Sequence, residues 1–238
     1  MKNYFITIDT ETTQDNLVAD FAATITDKNG NIVNQCAVMV DGIFNESEAH
    51  PLFHIFGDSG DLWSKAGLPA RYDRYNRMLE NGSRMLANVP AINRWLYQAV
   101  ATYNPILTAY NLAFDLDKCS NTAIDLTCFT RRFCLWQAAY TQWAHTKQYR
   151  NFALQVHAFN PPTKHGNMSF KTNAETMARF VLGMPDLEDE PHTALEDVIY
   201  YELPILNKLL EKRSAKWLLE KPKAYNWRDC QVKDWYTA

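Results

Sequence analysis

The sequence predicts an α/β fold in which helices flank a mixed sheet. Three apolar, strand-like segments come first, at residues 4–8, 17–26 and 32–40, and an Asn-Gly turn joins the last two. Shorter strand signals at 106–110 and 123–126 then alternate with helical patterns. An antiparallel meander followed by strand–helix alternation is typical of a mixed sheet, so this order favours a single α/β domain.

The helical segments follow from apolar periodicity and from residues that begin or end helices. Helices are expected at 84–103 with an interruption near Pro90, from 112 to at least 118, at 131–149, at 172–182, and at 192–212 with a kink at Pro204. Gly183 should end the fourth of these. Segments 41–83 and 150–171 are predicted to be irregular.

The predicted strands and helices also indicate how the chain divides into domains. Residues 1–212 are predicted to form one domain, with an aromatic and basic insert at about 44–83. The tail, 213–238, carries Trp217, Trp227 and Trp235 and is too aromatic for a free linker, so we expect it to pack on the domain.

Composition narrows the class of protein. The chain has 238 residues, a formal net charge of −3 and 47% hydrophobic residues, which suits a globular domain and does not mark a strongly basic nucleic-acid binder. An odd number of scattered cysteines and a strand-like N-terminus predict reduced thiols in the cytoplasm. No apolar run approaches the ~20 residues that span a membrane, so no membrane partner is expected.

Two carboxylates follow the first strand. Asp9 and Glu11 are two residues apart on an extended chain, so both side chains point the same way. Carboxylates that lie close together repel each other unless a cation sits between them. This pair therefore indicates either a metal site or simply a solvated strand end.

Two later elements carry similar residues. Asp115 follows the strand at 106–110 in the first turn of a helix, with Asn111 as a plausible cap, and its simplest role is to complement the helix dipole. His192 stands where the last helix should begin, and Asp197 follows about 1.5 turns later. A capping histidine and a surface aspartate are the ordinary interpretation of that element.

Together these elements resemble the DEDDh 3′→5′ exonucleases of the ribonuclease H-like superfamily, which include proofreading subunits, ribonuclease T and oligoribonuclease. The resemblance covers roughly residues 3–211 and rests on motifs in the family order: Asp9-Thr10-Glu11-Thr12, Asn111-x-x-Phe114-Asp115 and His192-x4-Asp197. Asp125 also matches a structural aspartate of the family. Position 193 is Thr and not the Tyr of the sister subclass, so the histidine subclass is the better match.

The resemblance implies a ribonuclease H-like fold with a mixed five-stranded sheet and a two-metal hydrolase. Asp9, Glu11, Asp115 and Asp197 would bind two Mg²⁺ ions, which Mn²⁺ could replace, and His192 would take a proton from the attacking water. The substrate would be single-stranded DNA or RNA with a free 3′ end, released as nucleoside monophosphates. A proofreading or repair task would need a separate polymerase or repair partner.

Substrate contacts are predicted at several places. By the resemblance, Thr12, Thr13 and Asn111 would bind the terminal nucleotide, and Phe114 would be a packing aromatic of the core. The insert interleaves aromatics with cations: Phe53, Phe56, Trp63, Tyr72 and Tyr75 with Lys65, Arg71, Arg74, Arg77 and Arg84. Arg71, Arg74 and Arg77 are the candidates for phosphate contacts in a single-strand funnel. The alternative is a structured insert whose aromatics face the core.

Other interpretations stay open on the sequence alone. An endonuclease of the same superfamily and a catalytically silent nucleic-acid-binding module are the alternatives, although all four carboxylates and the histidine are present. The spacing of Cys128, Cys134, His145 and His157 does not match a zinc knuckle, so buried thiols are favoured. The preference for DNA or RNA, the pathway and the oligomeric state do not follow from these residues.

Overall fold

The sheet contains six strands in the part of the chain that the computed structural model describes, residues 3–55 and 62–232. The strands are β1 (Tyr4–Thr12), β2 (Val18–Asp27), β3 (Ile32–Val40), β4 (Met85–Ala87), β5 (Ile106–Ala109) and β6 (Arg132–Cys134). Their order across the sheet is β4-β3-β2-β1-β5-β6.

The strand directions make the sheet mixed. β1, β2 and β3 pair antiparallel, whereas β5 pairs parallel to β1, β6 to β5 and β4 to β3. The order β3-β2-β1-β5-β6 with an antiparallel β2 is the ribonuclease H-like arrangement, which confirms the predicted fold class. The parallel pairing of β1 and β5 places the ends of both strands, and the residues that follow them, at one edge of the sheet.

Three strand predictions are wrong. The sheet has six strands and not five, because β4 is too short to show a periodic pattern. Residues 123–126 form a turn, in which the Asp125 carboxylate accepts hydrogen bonds from the Thr127 amide and from the Tyr97 hydroxyl. The edge strand β6 instead lies at the start of the segment predicted to be helical, 131–149.

Nine α-helices lie in the described residues. They are α1 (Leu68–Glu80), α2 (Val89–Tyr103), α3 (Leu112–Asn121), α4 (Leu135–Ala139), α5 (Lys147–Gln155), α6 (Ala174–Leu182), α7 (Ala194–Asp197), α8 (Leu203–Lys212) and α9 (Ala215–Glu220). α1 lies in the insert, which was predicted to be irregular, and α5 extends into the predicted loop 150–171. Pro90 lies in the first turn of α2 and does not interrupt it, because a proline in the first turn has no hydrogen bond to lose.

Consecutive residues of β1 face two different layers of the core. Ile6 packs in a cluster with Ile92 and Leu96 of α2, whereas Phe5 packs in a second cluster with Met177 of α6 and Leu206 of α8. Both faces of the sheet are therefore covered, and the edge at the end of β1 remains the place where polar side chains collect.

The last long helix is interrupted by a π-turn, Val198–Glu202, between α7 and α8. The kink predicted at Pro204 takes this form. Proline has no amide hydrogen to donate to the carbonyl four residues earlier, so a widened turn just before it is a natural consequence.

The described part of the tail contacts the domain through Leu218 and Cys230, which are both fully buried. Trp235 lies outside the described residues. No helix in residues 3–55 or 62–232 is long and apolar enough to cross a membrane.

Candidate metal and catalytic site

The first two acidic motifs meet at the end of β1. Asp9 and Glu11 lie on the same side of the strand, and Asp115 lies in the first turn of α3, which follows β5. The Thr10 hydroxyl donates a hydrogen bond to Asp115 Oδ1 over 2.9 Å. This bond ties the two motifs together across 105 positions of the chain.

The third motif completes the group. One ligand atom each from Glu11, His192 and Asp197 lie within 4.8 Å of one another. The N-terminus of α7 is fixed by Asp20 of β2, whose Oδ2 accepts a hydrogen bond from the Ala194 amide over 2.9 Å. β2 therefore sets where α7 places Asp197.

A buried arginine holds that arrangement in place. Arg84 Nε lies 3.6 Å from Asp20 Oδ1, and its Nη2 donates to Glu196 Oε2 over 2.5 Å. Arg84 was grouped with the cations of the insert, but it is 2% exposed and serves the packing of α7 on the sheet.

These residues open onto one cavity of about 710 Å³. Asp9, Glu11, His192 and Asp197 line it. Asp115 is almost fully buried and is held by its bond to Thr10. The five predicted catalytic residues are thus brought to one place by elements that are far apart in the chain.

The carboxylates of the site repel one another at low dielectric. Burial, followed by the charge of Asp20, raises the pKa of Asp9 to about 7. Burial and the charge of Asp9 raise the pKa values of Glu11, Asp115 and Asp197 well above their ordinary range. A cation bound among them would relieve both the repulsion and the desolvation.

The donor set fits a divalent metal ion. Asp9 Oδ2 and Asp197 Oδ1 are buried and have no hydrogen-bond partner. Buried carboxylate oxygens without a partner are costly unless they coordinate a cation. Among the described residues, one group of three or more such side chains has ligand atoms that all lie within 4.8 Å of one another, namely Glu11, His192 and Asp197, and the cysteines and histidines considered for zinc form no such group.

His192 is held as a neutral imidazole. Burial, with the charges of Arg71 and Arg74, lowers its pKa to about 4. Its backbone adopts φ +54°, in the left-handed region that residues other than glycine rarely enter. Such a conformation persists only where neighbouring contacts impose it.

The insert supplies those contacts. The ring of Trp63 meets the His192 ring edge-on, with 4.4 Å between centroids. Arg74 Nη1 donates to the Pro191 carbonyl over 2.5 Å, and the Tyr75 hydroxyl donates to the His192 carbonyl over 3.3 Å. The sequence did not indicate that the insert positions this histidine.

The residues predicted to bind the terminal nucleotide differ in their placement. Thr12 and Asn111 line the cavity. The buried Thr13 hydroxyl instead donates to Asp15 and to the Leu17 carbonyl within the turn after β1. Asn111 has φ +76° and makes no side-chain capping bond, so the predicted capping role is wrong.

The three candidate phosphate-binding arginines of α1 also differ in their burial and contacts. Arg71 is buried and stacks over the Trp63 ring, 4.8 Å from its centroid. Arg74 is bound to the backbone beside His192. Arg77 is exposed on the same helix. Two of the three therefore contribute to the structure around the site, and Arg77 is the most exposed of them.

The aromatic side chains divide between core and cavity. Tyr75 is buried. The Tyr72 hydroxyl accepts a hydrogen bond from the Leu52 amide, and its ring packs on Phe44, whereas Phe53 and Trp63 line the cavity. Phe56 lies outside the described residues. The aromatics of the insert thus lie partly in the core and partly on the cavity wall, and the single-strand funnel stays a prediction.

The core role predicted for Phe114 is wrong. Its side chain is 42% exposed and lines the cavity near the end of β1. Trp136 and Tyr225 also line the cavity, with ring centroids 4.7 Å apart. Tyr225 comes from the tail, which therefore contributes to the wall.

Sequence reasoning missed three buried or half-buried carboxylates here. Asp20 stands between apolar residues near the start of β2, which was a usable signal, and Glu190 lies two residues before His192. Burial and the charge of Asp9 raise the pKa of Glu190 to about 8. Glu202 lines the cavity from the π-turn and follows no recognisable spacing.

Comparisons with known proteins give limited similarity. No family model and no curated protein matches the chain. Among solved structures, E. coli exonuclease I in complex with a 5cy-dT13 oligonucleotide is 16% identical with a TM-score of 0.45, over 92% of this chain and 42% of that one. Exonuclease I in complex with the inhibitor BCBP gives the same identity and TM-score, over 92% and 43%. This chain spans less than half the length of either protein.

Proposed function

We propose that the chain is a metal-dependent 3′→5′ exonuclease that releases nucleoside monophosphates from single-stranded DNA or RNA. The observation that carries the proposal is the convergence of Asp9, Glu11, Asp115 and Asp197 beside the neutral His192. Unpartnered carboxylate oxygens at this convergence match what a two-metal phosphodiester hydrolase requires.

The four carboxylates would hold the divalent ions. Ligands that are all oxygen favour Mg²⁺, with Mn²⁺ as a substitute. When bound, the metal would supply positive charge to the attacking water and to the leaving oxygen. Asp115 would bind a metal ion while its Oδ1 accepts the hydrogen bond from the Thr10 hydroxyl. Thr10 would therefore orient this ligand.

His192 would take the proton from the attacking water. A pKa of about 4 leaves the imidazole neutral at physiological pH, so the lone pair is available. The contacts from Trp63, Arg74 and Tyr75 keep the imidazole ring beside the cluster of carboxylates. The insert therefore acts as the support of the general base.

The cavity suits an unpaired strand end. Its volume of about 710 Å³ falls in the usual range of ligand sites, and Phe53, Trp63 and Phe114 on its wall offer faces for base stacking. Thr12 and Asn111 offer polar contacts to the terminal nucleotide. The exposed Arg77 is the remaining arginine of the three candidates for a phosphate further along the strand.

A degradation assay tests the proposal. Oligonucleotides labelled at either end are incubated with and without Mg²⁺, as single-stranded DNA, duplex DNA and RNA. Metal-dependent, stepwise shortening from the 3′ end supports the proposed activity. Internal cuts would identify an endonuclease, and tight binding without cleavage would identify a silent binding module.

Replacement of the base gives the first prediction. His192→Ala is expected to lower kcat by about 10²–10⁴-fold, because proton transfer is lost, while Mn²⁺ and oligonucleotide binding change little. Turnover and calorimetric binding are measured on the same preparation. His165→Ala, at an exposed loop residue, is the control and should behave as wild type. Full turnover by His192→Ala would remove His192 from the mechanism.

A further inference from the structure

The buried carboxylate of Glu202 has no place in the mechanism above. Glu202 is 3% exposed and lines the same cavity as Asp9 and Asp197. Its Oε1 accepts a hydrogen bond from the Tyr110 amide over 3.1 Å, whereas its Oε2 is buried without a partner. One oxygen is therefore fixed by the end of β5, and the other is left available inside the site.

The π-turn explains how Glu202 reaches this cavity. In a regular α-helix, residues five apart differ by about 140° around the axis, so position 202 would face away from Asp197. In the turn Val198–Glu202 the Leu203 amide bonds to the Val198 carbonyl, five residues back. This wider turn returns residues five apart to the same face of the helix. Asp197 and Glu202 accordingly line one cavity.

The surroundings of Glu202 are those of a cation ligand. The charges of Asp9 and Asp115 act on it, and among the described residues no arginine or lysine lines the cavity that it shares with Asp9. A buried carboxylate with an unpaired oxygen among other carboxylates is unfavourable unless a cation binds there. Its orientation is already set by the Tyr110 amide, as expected for a metal ligand held by an outer contact.

We propose that Glu202 is a fifth carboxylate ligand for the divalent cations of this site, presented by the π-turn next to Asp9 and Asp115. The inference rests on the proposed metal site. It adds a ligand from the segment after Asp197, which the sequence motifs do not include. A site with one more carboxylate should bind hard divalent ions more tightly, because affinity rises with the number of charged oxygen ligands.

Mn²⁺ binding tests the proposal without any need for turnover. Free Mn²⁺ is measured by electron paramagnetic resonance and binding by calorimetry, for wild type, Glu202→Gln and Glu175→Gln. Glu202→Gln keeps the oxygen that accepts from Tyr110 and is expected to weaken the affinity for at least one ion by about tenfold or more. Glu175→Gln removes a charge that is paired with Arg179 and should bind as wild type.

Further variants distinguish a failure of the proposed metal site from a failure of the proposed role of Glu202. Asp9→Asn should weaken Mn²⁺ binding, and if it does not, the proposed metal site is wrong. If Asp9→Asn weakens binding while Glu202→Gln binds as wild type, only the role of Glu202 is overturned. An equal loss in Glu175→Gln would also overturn it, because the effect would be general electrostatics. If Glu202→Gln does not fold, Glu202→Asp keeps the charge and withdraws the oxygen, and unchanged Mn²⁺ affinity in that variant overturns the proposal.

Discussion

His192 combines an unusual backbone conformation with an unusual protonation equilibrium, and both depend on the insert. The left-handed φ of +54° places the ring against Trp63, and the nearby arginines oppose a positive charge on that ring. An imidazole accepts a proton only in its neutral form. The same contacts therefore set both the position and the charge state of the imidazole.

Removal of one arginine should move the pH profile. With saturating Mg²⁺, Arg74→Met is expected to shift the acidic limb of kcat/KM to higher pH, because a cation that lowers the pKa of His192 is lost. The profile is measured across the acidic range for both variants. Arg77→Met, three residues along α1 and exposed, is the matched control and should leave the limb in place. An unmoved limb in Arg74→Met would separate this arginine from the base.

Single residues also show how far motifs can be interpreted. Asp9, Glu11, Asp115, His192 and Asp197 were predicted as site residues because the three short motifs that carry them occur in the order of the family that they resemble, whereas each motif alone was ambiguous. Phe114 was assigned to the core because it matches the packing aromatic of the resembled motif, yet it lies on the cavity wall. Burial of one aromatic residue depends on the tertiary packing around it, which local pattern does not contain.

Among the elements, the insert contacts the end of β1, and the β2–β3 hairpin contacts α8. The insert is anchored by backbone bonds at the end of β1, where the Phe53 amide donates to the Thr12 carbonyl over 2.8 Å and Gln14 donates to Pro51 over 2.8 Å. The wall that carries Phe53 is thus fixed to the strand that carries the first acidic pair. No pattern in residues 41–83 predicted that connection, because it depends on pairing between separate segments.

The hairpin turn gives a prediction about stability. Gly30 has φ +82°, and a Cβ placed there would lie 2.6 Å from Asn207 Oδ1 of α8. Gly30→Ala should lower the free energy of unfolding by about 1–2 kcal/mol for the left-handed backbone, and further because Asn207 must move. Gly82→Ala has a similar φ of +76° with nothing within 4 Å and should cost only the first part. Urea denaturation compares the two, and equal losses would mean that the contact with Asn207 is unimportant.

For the whole molecule, the buried carboxylates make stability depend on pH and metal together. Asp20 has a pKa raised to about 6, Asp9 to about 7 and Glu190 to about 8, each mainly by burial. Between about pH 4 and pH 8 the folded protein therefore holds more protons than the unfolded chain. Without metal, the contribution of these groups to the free energy of unfolding is largest at the acidic end of this range. It is lost as the pH rises through their pKa values.

Mg²⁺ should counter that loss. A cation binds the ionised carboxylates of the folded state, so the rise in Tm caused by saturating Mg²⁺ is expected to be larger at the alkaline end of this range than at the acidic end. Thermal unfolding is followed with chelator or with Mg²⁺ at both ends. Asp197→Asn, which removes one ligand, should show a smaller rise. The same Mg²⁺ effect at both ends would contradict the link between metal and ionisation.

At this scale the sequence predicted the fold class and missed much of the detail. The meander and the strand–helix alternation were enough for a mixed α/β sheet. The three-residue strand β4 and the π-turn have no periodic signature, and the turn at Asp125 resembles a strand in composition. Glu202 could not be assigned because its direction depends on that π-turn.

The bond between Thr10 and Asp115 and that between Asp20 and the Ala194 amide join positions 105 and 174 residues apart. Contacts of such long range form only after a large loss of chain entropy, so they tend to limit the rate of folding. The acidic cluster should accordingly gain its affinity for cations late in refolding and as one cooperative event. Partly folded chains would then be inert toward nucleic acids, and the recovery of Mn²⁺ binding after dilution from denaturant would report the final step of refolding.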